Sequence, residues 1–406
     1  MRHVAFVVPF KFETSLRFLR GALRLPDLAV GLITQEPPER FDADIRQRLK
    51  GFVRVGDALS GQQLADAVRR LSQTQGPIER LVGVLEQLQV PLAEARQALG
   101  LPGLSVDAAE NFRDKARMKD RLRQAGLPCA RHRLATSADE VRSFVHEVGF
   151  PLIMKPTAGA GAKNTFRLDQ ASQLAEALTA FPPNPSHPML LEEFILGEEH
   201  SFDAVAVNGD CVWHSVSRYS PGPLEVMEND WIQWCVLLPR RIDGPEYDAI
   251  RDVGPRALKA LGLETGLAHM EWFRRKDGTI AVSEVGARPP GAQFTTLLSH
   301  AHETDLYVDW SRLVLQDTFS PPERRWAVGA AYLRGQGDGQ VHQIHGLERA
   351  QRELGSLVVD VKLPQRGQAK SSSYEGEGYV ILRHEETPVV AEALSRLVQT
   401  VRVELR

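Results

Sequence analysis

His269-Met-Glu-Trp-Phe-Arg-Arg-Lys-Asp-Gly-Thr-Ile-Ala-Val-Ser-Glu-Val-Gly-Ala-Arg288 reads as two strands folded back on each other. Asp277-Gly278 marks a tight two-residue turn, because such turns need positive φ and this dipeptide tolerates it. With the turn at the centre, Lys276 faces Thr279, Arg275 faces Ile280, and further out Glu271 faces Glu284. Two carboxylates opposite one another on a sheet face repel and cost stability. A divalent cation between them removes the objection, and hard oxygen donors suit Mg²⁺ or Mn²⁺. The two-residue period of a strand adds His269 to the face of Glu271, and Gly286 and Arg288 to that of Glu284. Such a face is a metal–phosphate constellation; the plain alternative is a surface hairpin with solvated acids.

The rest of the 406-residue chain is that of a soluble, multi-domain protein. Hydrophobic residues make up 43% and charged residues 25%, enough apolar material for several cores. A net charge of -3 with interspersed signs gives no basic surface for nucleic acid. Cys129, Cys211 and Cys235 are dispersed without metal or redox spacing, which fits reduced core residues and a cytoplasmic home. The apolar run Val4–Phe10 reads as a buried first strand rather than a leader, and no stretch reaches transmembrane length.

Upstream of the hairpin, residues 1–105 alternate short apolar strands (Val4–Val8, Leu28–Thr34) with helical patterns (Thr14–Leu23, Asp42–Lys50, Gln62–Leu71). This alternation predicts a parallel, Rossmann-like α/β layer without a G-x-G-x-x-G dinucleotide turn. A charge-rich helical segment follows, with Asp114 as N-cap and Gly126 past its end, placing Lys115, Lys119 and Leu122 on one face. Its ordinary reading is a solvated basic helix. Ser137 and Glu140 form a capping box. In the apolar strand Pro151–Pro156, Lys155 is a lone charge, and a buried ammonium needs an anion. Thr157-Ala-Gly-Ala-Gly-Ala-Lys163 after it is a small-residue loop of the kind that lets backbone N–H groups approach phosphate. Tyr219–Trp234 reads as a long loop over a substrate. Ala292–Leu315 reads as helical, and 326–406 gives short strands closed by a helix at Pro388–Val401.

Taken in order, Asp114-Lys115, Met154-Lys155-Pro156, the Gly159/Gly161 loop, Leu191-Glu192-Glu193-Phe194-Ile195 with Glu199, and Glu271 with Glu284-x-x-x-Arg288 resemble the ATP-grasp superfamily. The likeness is to its carboxylate–amine ligases, including L-amino-acid (dipeptide) ligases, D-alanine ligase and biotin carboxylase. It implies an α/β, α+β composite architecture: an N-terminal α/β domain over 1–105, an ATP-grasp fold over 106–318 with a lid at about 128–188, and a small C-terminal α+β domain over 319–406.

The resemblance also implies roles. Lys115 and Lys155 would bind ATP phosphates, with the Gly159 and Gly161 loop closing over them. Glu192 would accept from the adenine amino group, the Glu193, Phe194 and Ile195 backbone would complete the hinge, and Glu199 would hold the ribose. Glu271 and Glu284 would hold Mg²⁺, and Arg288 would stabilise the transferred phosphoryl group. His269, Glu225 and Arg334 are candidate substrate residues. The expected activity is ATP-dependent joining of a carboxylate and an amine, one of them an amino acid, through an acyl phosphate. A homodimer is compatible with this, and neither nucleic acid nor membrane is expected as a partner. One position departs from the family: Gly286 stands where its members commonly carry Asn as a third metal-shell oxygen. This leaves a non-catalytic nucleotide-binding module as one alternative; a biotin- or bicarbonate-type carboxylase component, another class within the resemblance, is a second.

Overall fold

The computed structural model describes residues 1–156, 165–229 and 231–406. The first layer is a parallel sheet of β1 (Arg2–Val7), β2 (Leu28–Thr34), β3 (Gly51–Arg54) and β4 (Arg80–Val82), in the order β3-β2-β1-β4. Val4 and Phe6 enter one core and Ala5 and Val7 another. Cover on both faces is why β1 reads as an unbroken apolar run. Helices α1 (Glu13–Leu23), α2 (Ala43–Arg48), α3 (Gly61–Gln75) and α4 (Gln89–Leu99) lie between and beyond the strands. β3, β4 and α4 add to the expected pattern.

The basic segment is two helices, α5 (Val106–Arg113) and α6 (Lys115–Gln124), and it is not a solvated face. Asp114 breaks them and caps α6, its carboxylate accepting from the Arg117 N–H at 2.8 Å. Lys115 is 6% exposed and Lys119 fully buried. Next come β5 (His132–Ala135), α7 (Ala138–Val148), β6 (Leu152–Pro156), β7 (Phe166–Leu168), α8 (Ala171–Ala180) and β8 (Met189–Glu193), a small antiparallel sheet ordered β5-β8-β6-β7. Ser137 caps α7, and Glu140 reaches back to the Thr136 N–H.

The main sheet has eight strands, ordered β13-β12-β9-β10-β11-β14-β18-β17 once its members are named in chain order. These are β9 (Gly197–Val207), β10 (Asp210–Ser220), α9 (Pro223–Glu228), β11 (Trp234–Leu238), α10 (Asp248–Leu261), β12 (Gly266–Arg275), β13 (Ile280–Gly286), α11 (Phe294–His302), α12 (Leu306–Gln316) and β14 (Ala327–Leu333). The chain continues through β15 (Gly335–Gln336), β16 (Val341–His345), α13 (Leu347–Leu354), β17 (Val358–Lys362), β18 (Gly378–His384), α14 (Thr387–Thr400) and β19 (Arg402–Leu405). Thus the expected long loop 219–234 contains α9, and the expected helix 292–315 is broken at Glu303, which has positive φ.

β14 pairs with β11 over five residues, from Trp234↔Tyr332 to Leu238↔Val328. The C-terminal strands therefore extend the main sheet across residues 318–319. One core joins the layers: Phe6 and Phe18 from the N-terminal layer both meet Trp310 of α12 edge-on. Among the described residues, no helix is long and apolar enough to cross a membrane.

Candidate active site

The β12–β13 hairpin reaches the expected pairing by a different route. The turn holds three residues, Lys276-Asp277-Gly278, closed by Gly278 N–H to Arg275 O (3.0 Å) and Arg275 N–H to Thr279 O (2.8 Å). Gly278 has φ +84°, the left-handed residue that a three-residue hairpin loop requires. Arg274, not Arg275, faces Ile280, and Trp272 faces Val282. A bulge at Ser283 then restores the count, so Glu271 faces Glu284 and His269 faces Gly286.

These carboxylates open into a cavity of about 510 Å³ between the small sheet and the main sheet. Lys115, Lys155, Glu192, Glu193, Phe194, Ile195, Glu199, His269, Glu271, Glu284 and Arg288 all line it. Glu271 and Glu284 keep 30% and 31% of their side-chain surface open. Glu225 and Arg334 are not brought there. α9 turns Pro223 and Leu224 to the cavity and leaves Glu225 exposed. One Arg334 nitrogen donates to the carbonyls of Val226, Asn229 and Ile232, so Arg334 ties down the α9 segment from β14. Gly159 and Gly161 lie outside the described residues.

At one end the charges interlock. Lys155 Nζ lies 2.9 Å from Glu192 Oε2, Lys119 Nζ 3.1 Å from Glu192 Oε1, and Lys115 Nζ 2.9 Å from Glu284 Oε1. Lys119 also donates to the carbonyl of Ser283, the bulge residue. Burial opposes the charge on Glu192, but the two ammoniums prevail and hold its carboxyl at about 2. Burial pulls Lys119 below the ordinary lysine range, whereas Glu192 keeps Lys155 above it. The carboxylate, facing two cations, is the firmly charged member. Its Oε1 is buried 3.1 Å from Lys119 Nζ, and a carboxylate oxygen with two lone-pair sites keeps one for a further N–H.

Glu193 is fixed by Arg131 (2.7 Å) and Arg275 (3.0 Å). Glu199 is held well above the carboxylate range, first by burial and then by neighbouring Glu271. A cation among these acids relieves that crowding. Among the described residues there is no cluster of three or more metal-ligating side chains. The protein offers a carboxylate pair rather than a cage, the donor set that fits Mg²⁺, which keeps its waters and shares phosphate oxygens.

His269 Nδ1 is 2.7 Å from Asp203, and its Nε2 lies 3.4 Å from the Tyr219 hydroxyl and 3.8 Å from Glu271. Burial would lower the imidazole; Asp203 overrides it and raises it to about 9. Arg288 donates from Nε to Glu86 at 2.7 Å, across to the N-terminal layer. A Cβ on Gly286 would stand 3.3 Å from the same Glu86 carboxylate, which would have to give by a few tenths of an ångström.

Lys119, Asp203, Glu86 and Tyr374 are site residues beyond those expected. Lys119 was marked by its spacing from Lys115. Asp203 shares β9 with Glu198 and Glu199 and differs from them only in standing within its apolar half, Phe202–Val207, a weaker signal than the one that marked Lys155. Glu86 and Tyr374 have no local signal, since only the folded chain brings them in.

Residues 120–302 match the family model of the ATP-grasp domain. An uncharacterised Sinorhizobium fredii protein, y4rH, is 26% identical over 294 residues, 70% of this chain and 59% of its own. The L-arginine-specific L-amino acid ligase of Bacillus subtilis is 26% identical over 238 residues, 57% of this chain and 56% of its own. The chain thus spans less than two thirds of the length of these relatives. The crystal structure of L-amino acid ligase from Bacillus licheniformis superposes with a TM-score of 0.79 at 21% identity, covering 100% of this chain and 99% of that one.

Proposed function

For a chain that carries an ATP-grasp domain, we propose ATP-dependent ligation of a carboxylate to an amine, with an amino acid as one substrate. The observation that carries this reading is the facing pair Glu271 and Glu284 beside the Lys115, Lys119, Lys155 and Glu192 network in one cavity. Lys115 and Lys155 bind the phosphates, and Glu192 accepts from the adenine amino group through the remaining lone pair of Oε1, beside Lys119. The 193–195 segment lines the base, and Glu199 faces the ribose. Mg²⁺ bound by Glu271 and Glu284 supplies charge neutralisation at the phosphates.

A substrate carboxylate oxygen attacks the γ-phosphorus, the bond to ADP breaks, and an acyl phosphate forms. Positioning and charge neutralisation carry such a step, with little covalent work by protein groups. An amine then attacks the acyl carbon, the carbon–oxygen bond to phosphate breaks, and the amine's protons pass to solvent. Arg288, oriented by Glu86, faces the charge that develops on the departing phosphate.

The test is a phosphate-release screen of amino-acid pairs and small acids with ATP and Mg²⁺. Dependence on both an acid and an amine supports ligation. Release driven by bicarbonate alone selects the carboxylase reading, and ATP binding without ADP selects the non-catalytic module that Gly286 keeps in play. Glu284→Gln should abolish Mg²⁺-dependent ADP formation while the far-ultraviolet circular dichroism stays native. Retained turnover in that variant removes the metal assignment.

A further inference from the structure

The cavity has a second end of different chemistry. Tyr219, Trp234, Phe294 and Tyr374 wall it, Trp234 meeting Tyr219 (5.4 Å) and Tyr374 (4.6 Å) edge-on and Tyr219 meeting Phe294 edge-on at 5.8 Å between ring centroids. Leu224 of α9 completes the wall. His269 links this end to the carboxylates, lying 5.2 Å from the Phe294 ring on one side and 3.8 Å from Glu271 on the other. Tyr374 arrives from the turn before β18, which is fixed by buried Glu377: its carboxylate accepts from the N–H groups of Ser371 (2.7 Å) and Gly335 (2.6 Å). Arg334 holds α9 through three carbonyls. The wall is therefore pinned at both movable-looking segments and has a shape of its own.

We propose that this ring-lined end receives the side chain of the amino-acid substrate and selects an aromatic or large aliphatic group over a charged one. The inference rests on the ligase reading above. The charged groups nearest the rings are committed elsewhere: His269 lies 2.7 Å from Asp203, Arg288 2.7 Å from Glu86, and Glu199 and Glu271 belong to the nucleotide and metal in the ligase reading. A guanidinium or carboxylate entering the ring wall would therefore lose hydration without a free partner. The nearest acid on the N-terminal layer, Glu86, already holds Arg288 at 2.7 Å and faces Arg113 at 3.8 Å. A flat apolar side chain meets rings at offset and edge geometries that such walls favour.

The test uses the full chain with ATP and Mg²⁺ and alanine as the second amino acid. Phosphate release is measured with phenylalanine, leucine, arginine and aspartate, alongside thermal stabilisation by each amino acid in the presence of ADP and Mg²⁺. Phenylalanine or leucine should exceed arginine and aspartate in kcat/KM by about tenfold or more. Leu224→Glu should cut the phenylalanine-to-arginine ratio by about tenfold. Arginine or aspartate turning over as well as phenylalanine, or an unchanged ratio in Leu224→Glu, overturns the side-chain assignment while leaving ligation standing. Stabilisation by phenylalanine without any phosphate release overturns ligation and keeps the pocket. Neither stabilisation nor release overturns both.

Discussion

Lys119 carries a charge with no exposed surface, between Glu192 and the carbonyl of Ser283. Removing one member of a buried pair is costly because the survivor is stranded. Lys119→Met should lower unfolding free energy in urea by about 3–5 kcal/mol. A loss under about 1 kcal/mol would mean that Lys155 alone satisfies Glu192. His269 makes a different prediction. Its imidazole stands near 9 when folded, above the ordinary value of about 6.5 for an unfolded chain. The stabilisation it gains from Asp203 is complete below about pH 6.5 and disappears as pH rises through 9. Thermal unfolding across pH 6 to 10 should show that decline, and His269→Gln should flatten it. A parallel decline in the variant would assign the alkaline loss elsewhere.

At the scale of elements, a lone charge in an apolar strand is legible because burial forces it to have a partner. Lys155 shows this in β6, where the partner proves to be Glu192 at 2.9 Å. The Glu271–Glu284 pairing was legible too, though by two errors that cancel. A two-residue turn was expected and a three-residue turn formed; no bulge was expected and Ser283 supplies one. Bulges have no sequence signature of their own, so the register near the turn could not be read. α9 spans six residues, too few to display a helical period, and opens with Pro223 inside a stretch that resembles loop. Glu303 ends α11 in a left-handed conformation without the glycine that would announce a break. Arg334 is a substrate candidate because an arginine near a site suggests an anion; among its described partners are three carbonyls, invisible until α9 folds beneath it. Arg334→Met should therefore loosen residues 222–233 in amide hydrogen exchange by about tenfold or more while leaving β11 and β14 protected. Uniform loss of protection over the main sheet would make Arg334 a general stabiliser instead.

At the scale of the whole molecule, the main sheet joins segments that the sequence separates at a proline-rich boundary, Ser320-Pro-Pro-Glu. The boundary is visible in composition, but the β11–β14 ladder across it is not, since partners as far apart as Trp234 and Tyr332 leave no local trace. A chain ending at Pro321 would expose the β11 edge and the apolar core surface that Val328, Ala330 and Tyr332 cover. Open apolar edges invite association, so this truncation should elute as aggregate in size-exclusion chromatography. A monomeric, cooperatively unfolding product would show that the C-terminal strands are an appendage.

The glycine at 286 also has a history written into its surroundings. Any side chain there pushes the Glu86 carboxylate, and through it the Arg288 guanidinium. Positions 86 and 286 stand 200 residues apart in the chain, yet a side chain at one meets the carboxylate of the other. Among descendants and cousins of this chain, an oxygen-bearing residue at 286 should accompany a shorter or displaced residue at 86. An oxygen at position 286 would then come with a rearranged hold on Arg288, so the reach of Glu86 and the bareness of residue 286 are two sides of one fit.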